Sequence, residues 1–278
     1  MKLYTIDTGF FKLDGGAMFG VVPKVIWNKI NPGDDKNLCT WAMRCLLVVE
    51  GNRKILIDCG MGNKQSEKFF GYYEPSGADT VESSLKNHGY TSNDITDVFL
   101  THLHFDHCGG AIKYDEDKKL VLSFPNATYW SNKKHWDWAV NPNARERASF
   151  LKENIYPIQE SGHLKFINDG EEIMTGFSAK FVYGHTEAMM LPHINVNGKT
   201  VVYMADLVPS AGHLPLPYVM AYDVRPLVTL IEKENFIKEA AAKDQILFFE
   251  HDPKNEACSV ELSEGKVKVK EVVSVAAL

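Results

Sequence analysis

Residues 101–107 read Thr-His-Leu-His-Phe-Asp-His, and four of these side chains are of types that bind divalent metal ions. His102 and His104 are two residues apart, so in an extended segment both imidazoles project to the same side and can chelate one ion. Asp106 and His107 then turn toward a neighbouring position. Together they offer more donors than one tetrahedral ion can use, which predicts a two-ion site over the alternative of a solvated polar turn.

Three further metal-binding residues each follow an apolar run typical of a strand. His185 follows Ala-Lys-Phe-Val-Tyr-Gly, Asp206 follows Thr-Val-Val-Tyr-Met-Ala, and His251 follows Ile-Leu-Phe-Phe-Glu. Taken singly, such a residue is more often a cap or a hydrogen-bonded residue at the rim of a sheet. A strand holds its last residue rigidly at the sheet edge, however, so three distant residues can converge there on the ions of the 101–107 segment.

In this order, the segments 101–107 and Gly184-His185-Thr186, together with Asp206 and His251, resemble the metal-ligand series of the metallo-β-lactamase superfamily. The resemblance covers most of the chain. It implies two ions, the first held by His102, His104 and His185 and the second by Asp106, His107 and His251. It also implies that Asp206 bridges the two ions.

The segment Ile-Leu-Ile-Asp-Cys-Gly at 55–60 matches the first motif of that superfamily, in which Asp58 supports the ligands from behind. The implied fold is an α/β four-layer αββα sandwich with the metals at one edge of the paired sheets. We expect residues 1–278 to form a single domain. Sequence patterns predict helices at 79–88, 133–140, 144–156 and 227–242, and hairpins at 42–58, 193–205 and 258–275.

Composition agrees with one compact enzyme and excludes other classes. Hydrophobic residues make up 45% of the 278 residues, enough for a large core. The 30 basic and 36 acidic residues give a net charge of −6, which argues against a nucleic-acid partner. No apolar run is long enough for a membrane span, and the polar start lacks a signal-peptide core. The 5 cysteines without a Cys-x-x-Cys pair favour reduced thiols and a cytoplasmic location.

Hydrolysis is the reaction that such a pair of ions favours. Two divalent ions lower the pKa of a shared water from ~15.7 to about 7 and polarise a carbonyl or phosphoryl oxygen. We expect Asp106 or Asp206 to carry the proton to the leaving oxygen. Ligands of these types accept several metals, and zinc is the expected pair of ions. Nothing in the sequence indicates an oligomeric state.

The segment Leu-Asp-Gly-Gly-Ala-Met-Phe-Gly-Val-Val-Pro at 13–23 and the later Asn-Leu-Cys-Thr-Trp-Ala-Met-Arg-Cys-Leu-Leu resemble one branch of the superfamily. This branch contains N-acyl-homoserine lactonases, which quench quorum sensing, and related organophosphate and aryl ester hydrolases. The resemblance implies a small-molecule substrate with an apolar tail. Five residues are candidate walls of the substrate pocket: Met18, Phe19, Trp138, Met189 and His213.

Two departures from the branch keep an alternative open. The chain continues after His185 with Thr-Glu-Ala-Met, where many relatives have Thr-Pro-Gly-His, and Pro209 stands where well-known lactonases place a tyrosine three residues after the bridging aspartate. A phosphotriesterase or aryl esterase is therefore the competing prediction. A dinuclear redox protein, a glyoxalase-type thioesterase and a non-catalytic binding module are weaker alternatives, since no electron-donor domain or basic C-terminal region is evident and no ligand is missing.

Overall fold

The computed structural model describes residues 1–278, which form fifteen strands and eight α-helices. The strands are β1 Lys2–Asp14, β2 Leu38–Glu50, β3 Arg53–Ile57, β4 Asp97–Phe99, β5 Ile112–Tyr114, β6 Leu120–Leu122, β7 Thr128–Ser131, β8 Leu164–Phe166, β9 Glu172–Met174, β10 Phe177–Val182, β11 Met189–Val196, β12 Lys199–Tyr203, β13 Ile246–Phe248, β14 Ala257–Ser263 and β15 Lys266–Val273. The helices are α1 Gly15–Phe19, α2 Lys24–Trp27, α3 Glu67–Tyr73, α4 Val81–Asn87, α5 Phe105–Cys108, α6 Lys133–Val140, α7 Lys152–Glu160 and α8 Pro226–Ala242.

The strands form two large sheets and a small one. The first sheet has the order β1-β2-β3-β4-β7-β8, and the second has the order β15-β14-β13-β12-β11-β10-β9. In the first sheet β3, β4, β7 and β8 are parallel to one another, and in the second β12 and β13 are the parallel pair. Parallel neighbours end at the same edge of a sheet, so the loops after β3 and β4 leave one edge of the first sheet and the loops after β12 and β13 leave one edge of the second.

The main core lies between the two large sheets. Ile57 and Phe99 of the first sheet and Val202 and Phe248 of the second belong to one cluster of buried apolar side chains. A second cluster joins the outer face of the first sheet to α4, α6 and α7, and α8 packs against β14 on the outside of the second sheet. The predicted αββα sandwich is thereby confirmed. The shared core supports our prediction of one domain.

Most predicted elements are present, with one correction. The hairpins predicted at 42–58 and 258–275 correspond to β2–β3 and β14–β15, and the turn at Asn197-Gly198 has the positive φ values, 49° and 80°, of a tight hairpin. The helix predicted at 144–156 is wrong in its first half, because α7 begins only at Lys152. The Asn143 side-chain oxygen accepts hydrogen bonds from the backbone N–H groups of Arg145 and Glu146, which favours a turn over a helix there.

Two further expectations concern the whole chain. None of the helices combines the length and the apolar character that crossing a bilayer requires. All five cysteines are buried and unpaired. Cys108 donates to the carbonyl of Leu103, as a core residue, at 3.3 Å.

Candidate metal centre

The predicted donors all lie just beyond the ends of strands. The segment 101–107 follows β4 of the first sheet, and His185, Asp206 and His251 follow β10, β12 and β13 of the second. Both sheets therefore deliver donors to one edge of the sandwich. The structure brings all seven predicted donors together there, and it buries every one of them.

Gly184 allows the second sheet to bring His185 this close to α8. A Cβ atom at position 184 would lie 2.2 Å from Thr229 Oγ1 and 2.3 Å from the Thr229 backbone nitrogen, well inside van der Waals contact. Only glycine fits between the strand end and the first turn of α8. The glycine before His185 is thus a packing requirement of the site.

The first donor group consists of His102, His104, His185 and Asp206, whose ligand atoms all lie within 4.8 Å of one another. His104 Nδ1 lies 3.0 Å from His102 Nε2 and 3.2 Å from His185 Nε2. Asp206 Oδ2 lies 3.0 Å from His185 Nε2. Three imidazole nitrogens and a carboxylate oxygen thus face one point.

The second donor group consists of Asp106, His107 and His251. The two Nε2 atoms are 3.3 Å apart, and Asp106 Oδ2 lies 3.8 Å from His107 Nε2 and 3.7 Å from His251 Nε2. Asp206 joins the groups, because its Oδ1 lies 3.2 Å from His251 Nε2 while its Oδ2 faces the first group. This placement matches the bridging role that the resemblance implied for Asp206.

In His185 and His251, the nitrogen that points away from the donor group has a hydrogen-bond acceptor. His185 Nδ1 donates to Asp223 Oδ1 at 2.8 Å and His251 Nδ1 donates to the Ala42 carbonyl at 2.8 Å. A histidine that donates from its outer nitrogen presents a lone pair on its inner one. The inner nitrogens of these two histidines can therefore bind a metal once any proton that they carry is displaced.

Asp58 holds the first-sheet donors, as predicted from its motif. Its backbone has a φ of 57°, and its carboxylate accepts from the Thr101 N–H at 2.8 Å and from the Thr101 hydroxyl at 2.7 Å. Thr101 Oγ1 in turn accepts from His102 Nδ1 at 3.1 Å. His107 Nδ1 lies 3.1 Å from Asp58 Oδ2 and 2.9 Å from Glu250 Oε2. One buried carboxylate thus orients two imidazoles.

The residues present fit a pair of divalent ions. Ligands about 2.0–2.1 Å from a tetrahedral ion are about 3.3 Å from each other, close to the 3.0–3.3 Å separations of the inner nitrogens. Asp206 Oδ1 is moreover buried without a hydrogen-bond partner in the chain. A buried carboxylate oxygen without a hydrogen-bond partner indicates that a bound ion supplies the missing interaction.

The buried carboxylates of the site favour the binding of a cation. Burial alone would lower the pKa of His185, but Asp206 and Asp223 raise it to about 10. Burial likewise opposes protonation of His251, whereas Asp206 and Glu250 raise the pKa of this imidazole to about 9. The carboxylates therefore attract positive charge to these nitrogens, whether as protons or as a metal ion that displaces them.

A cavity of about 260 Å³ opens over both donor groups. Asp106, Asp206 and His251 lie at its base. Its walls include the following residues: Leu13, Met18, Tyr73, Phe105, Arg145, Glu146, Ser149, Met220, Ala221 and Tyr222. The surface combines apolar side chains with hydroxyl and charged groups, which suits a substrate with both characters.

Of the five predicted wall residues, the structure places only Met18 on the cavity. Phe19 is enclosed in a stack, 4.6 Å from the ring of His213. His213 is bound at both nitrogens, by Ser210 at 2.7 Å and the Met18 carbonyl at 3.0 Å, so it belongs to the same interior. The two remaining predictions are also corrected, since Met189 is buried in the main core and the Trp138 indole donates to Glu146 behind the wall.

Sequence reasoning missed the carboxylates behind the ligands. Asp223 holds His185, and Glu250 lies against His107. Glu146 lies 3.5 Å from His104 Nε2 and accepts from the Thr186 hydroxyl at 2.6 Å. Glu250 had a signal, because it directly precedes His251, but nothing in the sequence marks 146 or 223.

A buried lysine fixes the loop that carries part of the cavity wall. Lys233 of α8 is fully buried, and its Nζ donates to the carbonyls of Pro215 and Tyr218 at 2.8 and 2.9 Å. Met220 of this loop lines the cavity. The loop is thus tied to the second sheet through α8.

The fold and the paired donor groups define a metal-dependent hydrolase. Residues 44–251 match the family model of the metallo-β-lactamase superfamily, and the chain belongs to that superfamily. Among curated proteins, it is similar to an N-acyl homoserine lactonase of Bacillus cereus, with 26% identity over 282 residues that cover 93% of this chain and 96% of the relative. A lactonase named AiiA from Bacillus thuringiensis subsp. kurstaki is 25% identical with the same coverage.

Solved structures agree with this family. A probable metal-dependent hydrolase from Staphylococcus aureus superimposes with a TM-score of 0.87 and 28% identity, covering 98% of both chains. AidC, a dizinc quorum-quenching lactonase in complex with an N-hexanoyl-homoserine product, gives a TM-score of 0.79 at 22% identity, covering 98% of this chain and 94% of AidC. At that identity the second likeness shows the fold alone.

Proposed function

We propose that this protein is a dinuclear zinc hydrolase that opens the ring of N-acyl-homoserine lactones, with quorum quenching as its biological role. The observation that carries the proposal is the pair of donor groups joined by Asp206 at the base of a partly apolar cavity. The proposed ligands are His102, His104 and His185 for one ion, and Asp106, His107 and His251 for the other, with Asp206 shared. The curated lactonase relatives support this choice of substrate.

Two divalent ions in these groups would supply a water of lowered pKa and would polarise the ester carbonyl. The chain itself must then handle the proton of the leaving alcohol. Both oxygens of Asp206 face imidazoles, but only Oδ2 of Asp106 does so. We therefore assign proton transfer to Asp106, which lines the cavity and whose Oδ1 contacts neither His107 nor His251.

The walls support a substrate with an apolar tail. Leu13, Met18 and Met220 give the cavity an apolar side. An apolar groove of about 770 Å³ adjoins it and shares Met220 and Ala221 with its wall. A short acyl chain fits the cavity, and a longer one would continue into the groove.

One feature favours a second candidate. Position 209 is proline, three residues after Asp206, so this position offers no hydroxyl to a lactone carbonyl. Substrates with better leaving groups depend less on such help. Aryl esters and phosphotriesters are therefore the alternative substrates.

Acid release at neutral pH tests the proposal, because opening a lactone creates a carboxylic acid. We would compare N-hexanoyl-homoserine lactone, phenyl acetate and diethyl 4-nitrophenyl phosphate, using zinc-loaded and chelator-treated protein. We expect rapid, zinc-dependent acid release from the lactone. If protein shown to hold two ions acts on the aryl ester or phosphotriester but not on the lactone, the alternative is correct.

Two histidine variants make the comparison specific. His251→Ala removes a proposed ligand and should lose bound metal and activity together. His88→Ala makes the same change at an exposed position and should behave as the wild type. Full activity in His251→Ala would contradict the ligand assignment.

A further inference from the structure

The cavity contains a tyrosine that the proposed chemistry has not used. Tyr222 lines the same cavity as Asp106 and Asp206. The residue is 39% exposed, and its hydroxyl takes part in none of the hydrogen bonds of the chain. A polar group at a reaction cavity without a protein partner is available to a substrate.

The backbone on both sides of Tyr222 is fixed. The Arg145 guanidinium donates to the carbonyls of Ala221 and Asp223, the second at 3.2 Å. The Ala221 N–H donates to the Ala17 carbonyl at 2.8 Å. The Asp223 side chain is hydrogen-bonded to His185. Tyr222 is therefore held next to a residue that itself holds a proposed ligand, which preorganises its position relative to the ions.

We propose that the Tyr222 hydroxyl donates a hydrogen bond to the carbonyl oxygen of the ester substrate as water attacks the carbonyl carbon. This inference rests on the proposed ester hydrolysis. The oxygen of water bonds to the carbonyl carbon and the C=O π pair moves onto the carbonyl oxygen, where the tyrosine stabilises the charge and keeps its own proton. Asp106 takes the proton that the water loses. When the C=O bond re-forms, the C–O bond to the leaving oxygen breaks and Asp106 passes this proton to that oxygen.

Hydrogen-bond donation fits Tyr222 better than proton transfer does. Burial, the Tyr73 hydroxyl and carboxylates that include Asp106 and Asp206 raise the pKa of Tyr222 well above its ordinary value. A group that holds its proton so firmly is a poor general acid but still a good hydrogen-bond donor. Asp106 keeps the role of proton carrier.

The other wall tyrosine is a weaker candidate. Tyr73 packs its ring 4.6 Å from Phe105 and 5.0 Å from Phe69, as part of an aromatic cluster. Tyr222 belongs to no such cluster and directly precedes Asp223, which holds the proposed ligand His185, so Tyr222 is the better candidate.

Tyr222→Phe tests the inference, with Tyr218→Phe as the matched control. Tyr218 lies in the same loop, packs edge-on against Phe19 and does not line the cavity. In zinc-loaded protein we expect Tyr222→Phe to lower kcat about 100-fold, as for loss of one oxyanion donor, with little change in KM or metal content. The loss should be similar for N-hexanoyl-homoserine lactone and phenyl acetate, because the carbonyl oxygen is common to both. Tyr218→Phe should retain wild-type kcat.

A binding measurement gives a readout without turnover. Methyl hexylphosphonate carries a tetrahedral centre with an anionic oxygen, and calorimetry should show weaker binding to Tyr222→Phe than to wild type by at least 10-fold. Unchanged kcat and phosphonate affinity in Tyr222→Phe would overturn the inference, as would an equal loss in Tyr218→Phe. A loss confined to the lactone would instead indicate protonation of the leaving alcohol, which also contradicts it.

Failure of the proposed function is recognised separately. If the wild type hydrolyses neither ester, the proposed function falls, and the phosphonate affinities alone decide about Tyr222. Equal affinities of the wild type and Tyr222→Phe, including no binding by either, then overturn the inference.

Discussion

Asp223 provides the sharpest test of how the metal centre is held. Its Oδ1 accepts from His185 Nδ1 at 2.8 Å, and the side chain is buried beside α8. This hydrogen bond keeps the proton on Nδ1 and the lone pair on Nε2. Asp223→Asn keeps an oxygen acceptor but removes the negative charge, whereas Asp223→Ala removes the acceptor as well.

The two variants should differ in a graded way. A hydrogen bond to a charged group contributes about 1.5–3 kcal/mol and a neutral one about 0.5–1.5 kcal/mol, so Asp223→Asn loses about 1–1.5 kcal/mol. Since 1.4 kcal/mol is a factor of ten, the ion bound by His185 should dissociate about 10-fold more readily. Asp223→Ala leaves the Nδ1–H group without a partner, and its effect should approach 100-fold.

Competition with a chromophoric zinc chelator measures the affinity of each ion. We expect one of the two ions to weaken in both variants and the other to change little, because Asp223 contacts only the first donor group. Asp97→Asn is the matched control. Asp97 is also a buried carboxylate, but it pairs with Arg53 and the Trp130 indole, away from the site. This control should lose stability and keep both ion affinities.

Wild-type affinities for both ions in Asp223→Asn and Asp223→Ala would refute this reasoning. So would a weakening of equal size in the Asp97→Asn control, since the effect would then reflect general destabilisation. A loss confined to the ion of Asp106, His107 and His251 would show that the two donor groups are assigned to the wrong ions.

Three further perturbations have definite expected outcomes. In chelator-treated protein, His185 and His251 have raised pKa values of about 10 and about 9, so the stability they contribute is complete below pH ~6.5 and is lost as pH rises through 9 to 10. The free energy of unfolding in urea should decline with pH in the chelator-treated protein and not in the zinc-loaded protein. A free energy of unfolding that does not change with pH in either protein would contradict the pKa values. Lys233→Met leaves two loop carbonyls without a hydrogen-bond donor. The free energy of unfolding, measured in urea, should fall by about 1–3 kcal/mol per carbonyl while the metal content stays constant. Unchanged stability would mean that water replaces the lysine. Gly184→Ala forces a Cβ into α8, so it should lower the free energy of unfolding by about 1–3 kcal/mol and reduce the metal content. The control Gly71→Ala places its Cβ in open space on a helix and should not destabilise the protein. Equal unfolding midpoints for the two variants would refute the clash.

The sequence was informative where local order decides the structure. The segment 101–107 concentrates four donors within seven residues, and His185, Asp206 and His251 each follow a strand run that the structure contains. Strand direction and the end of each run are local properties, so the positions of these residues could be predicted.

The features that the sequence did not predict depend on contacts between segments that are distant in the chain. Asp223 and Glu146 reach the histidines from loops whose paths no periodic pattern records. The wall predictions failed for a related reason, because apolar residues such as Phe19 and Met189 fit a buried core as well as a cavity wall. Hydrophobicity predicts that a side chain is buried, but it does not show whether that side chain lies in the core or on the wall of a substrate cavity.

Each donor group draws on both sheets. The first combines His102 and His104 of the first sheet with His185 of the second, and the second group combines Asp106 and His107 with His251. Each sheet supplies only some of the donors of each group, so an ion bound by either group would link the two sheets. Any ligand that binds only the folded state stabilises it by RT ln(1 + [L]/Kd), about 4 kcal/mol at a thousand times Kd. Docking of the two sheets and assembly of the proposed metal centre are therefore one coupled event, and residues such as Asp223 that orient a ligand contribute to both.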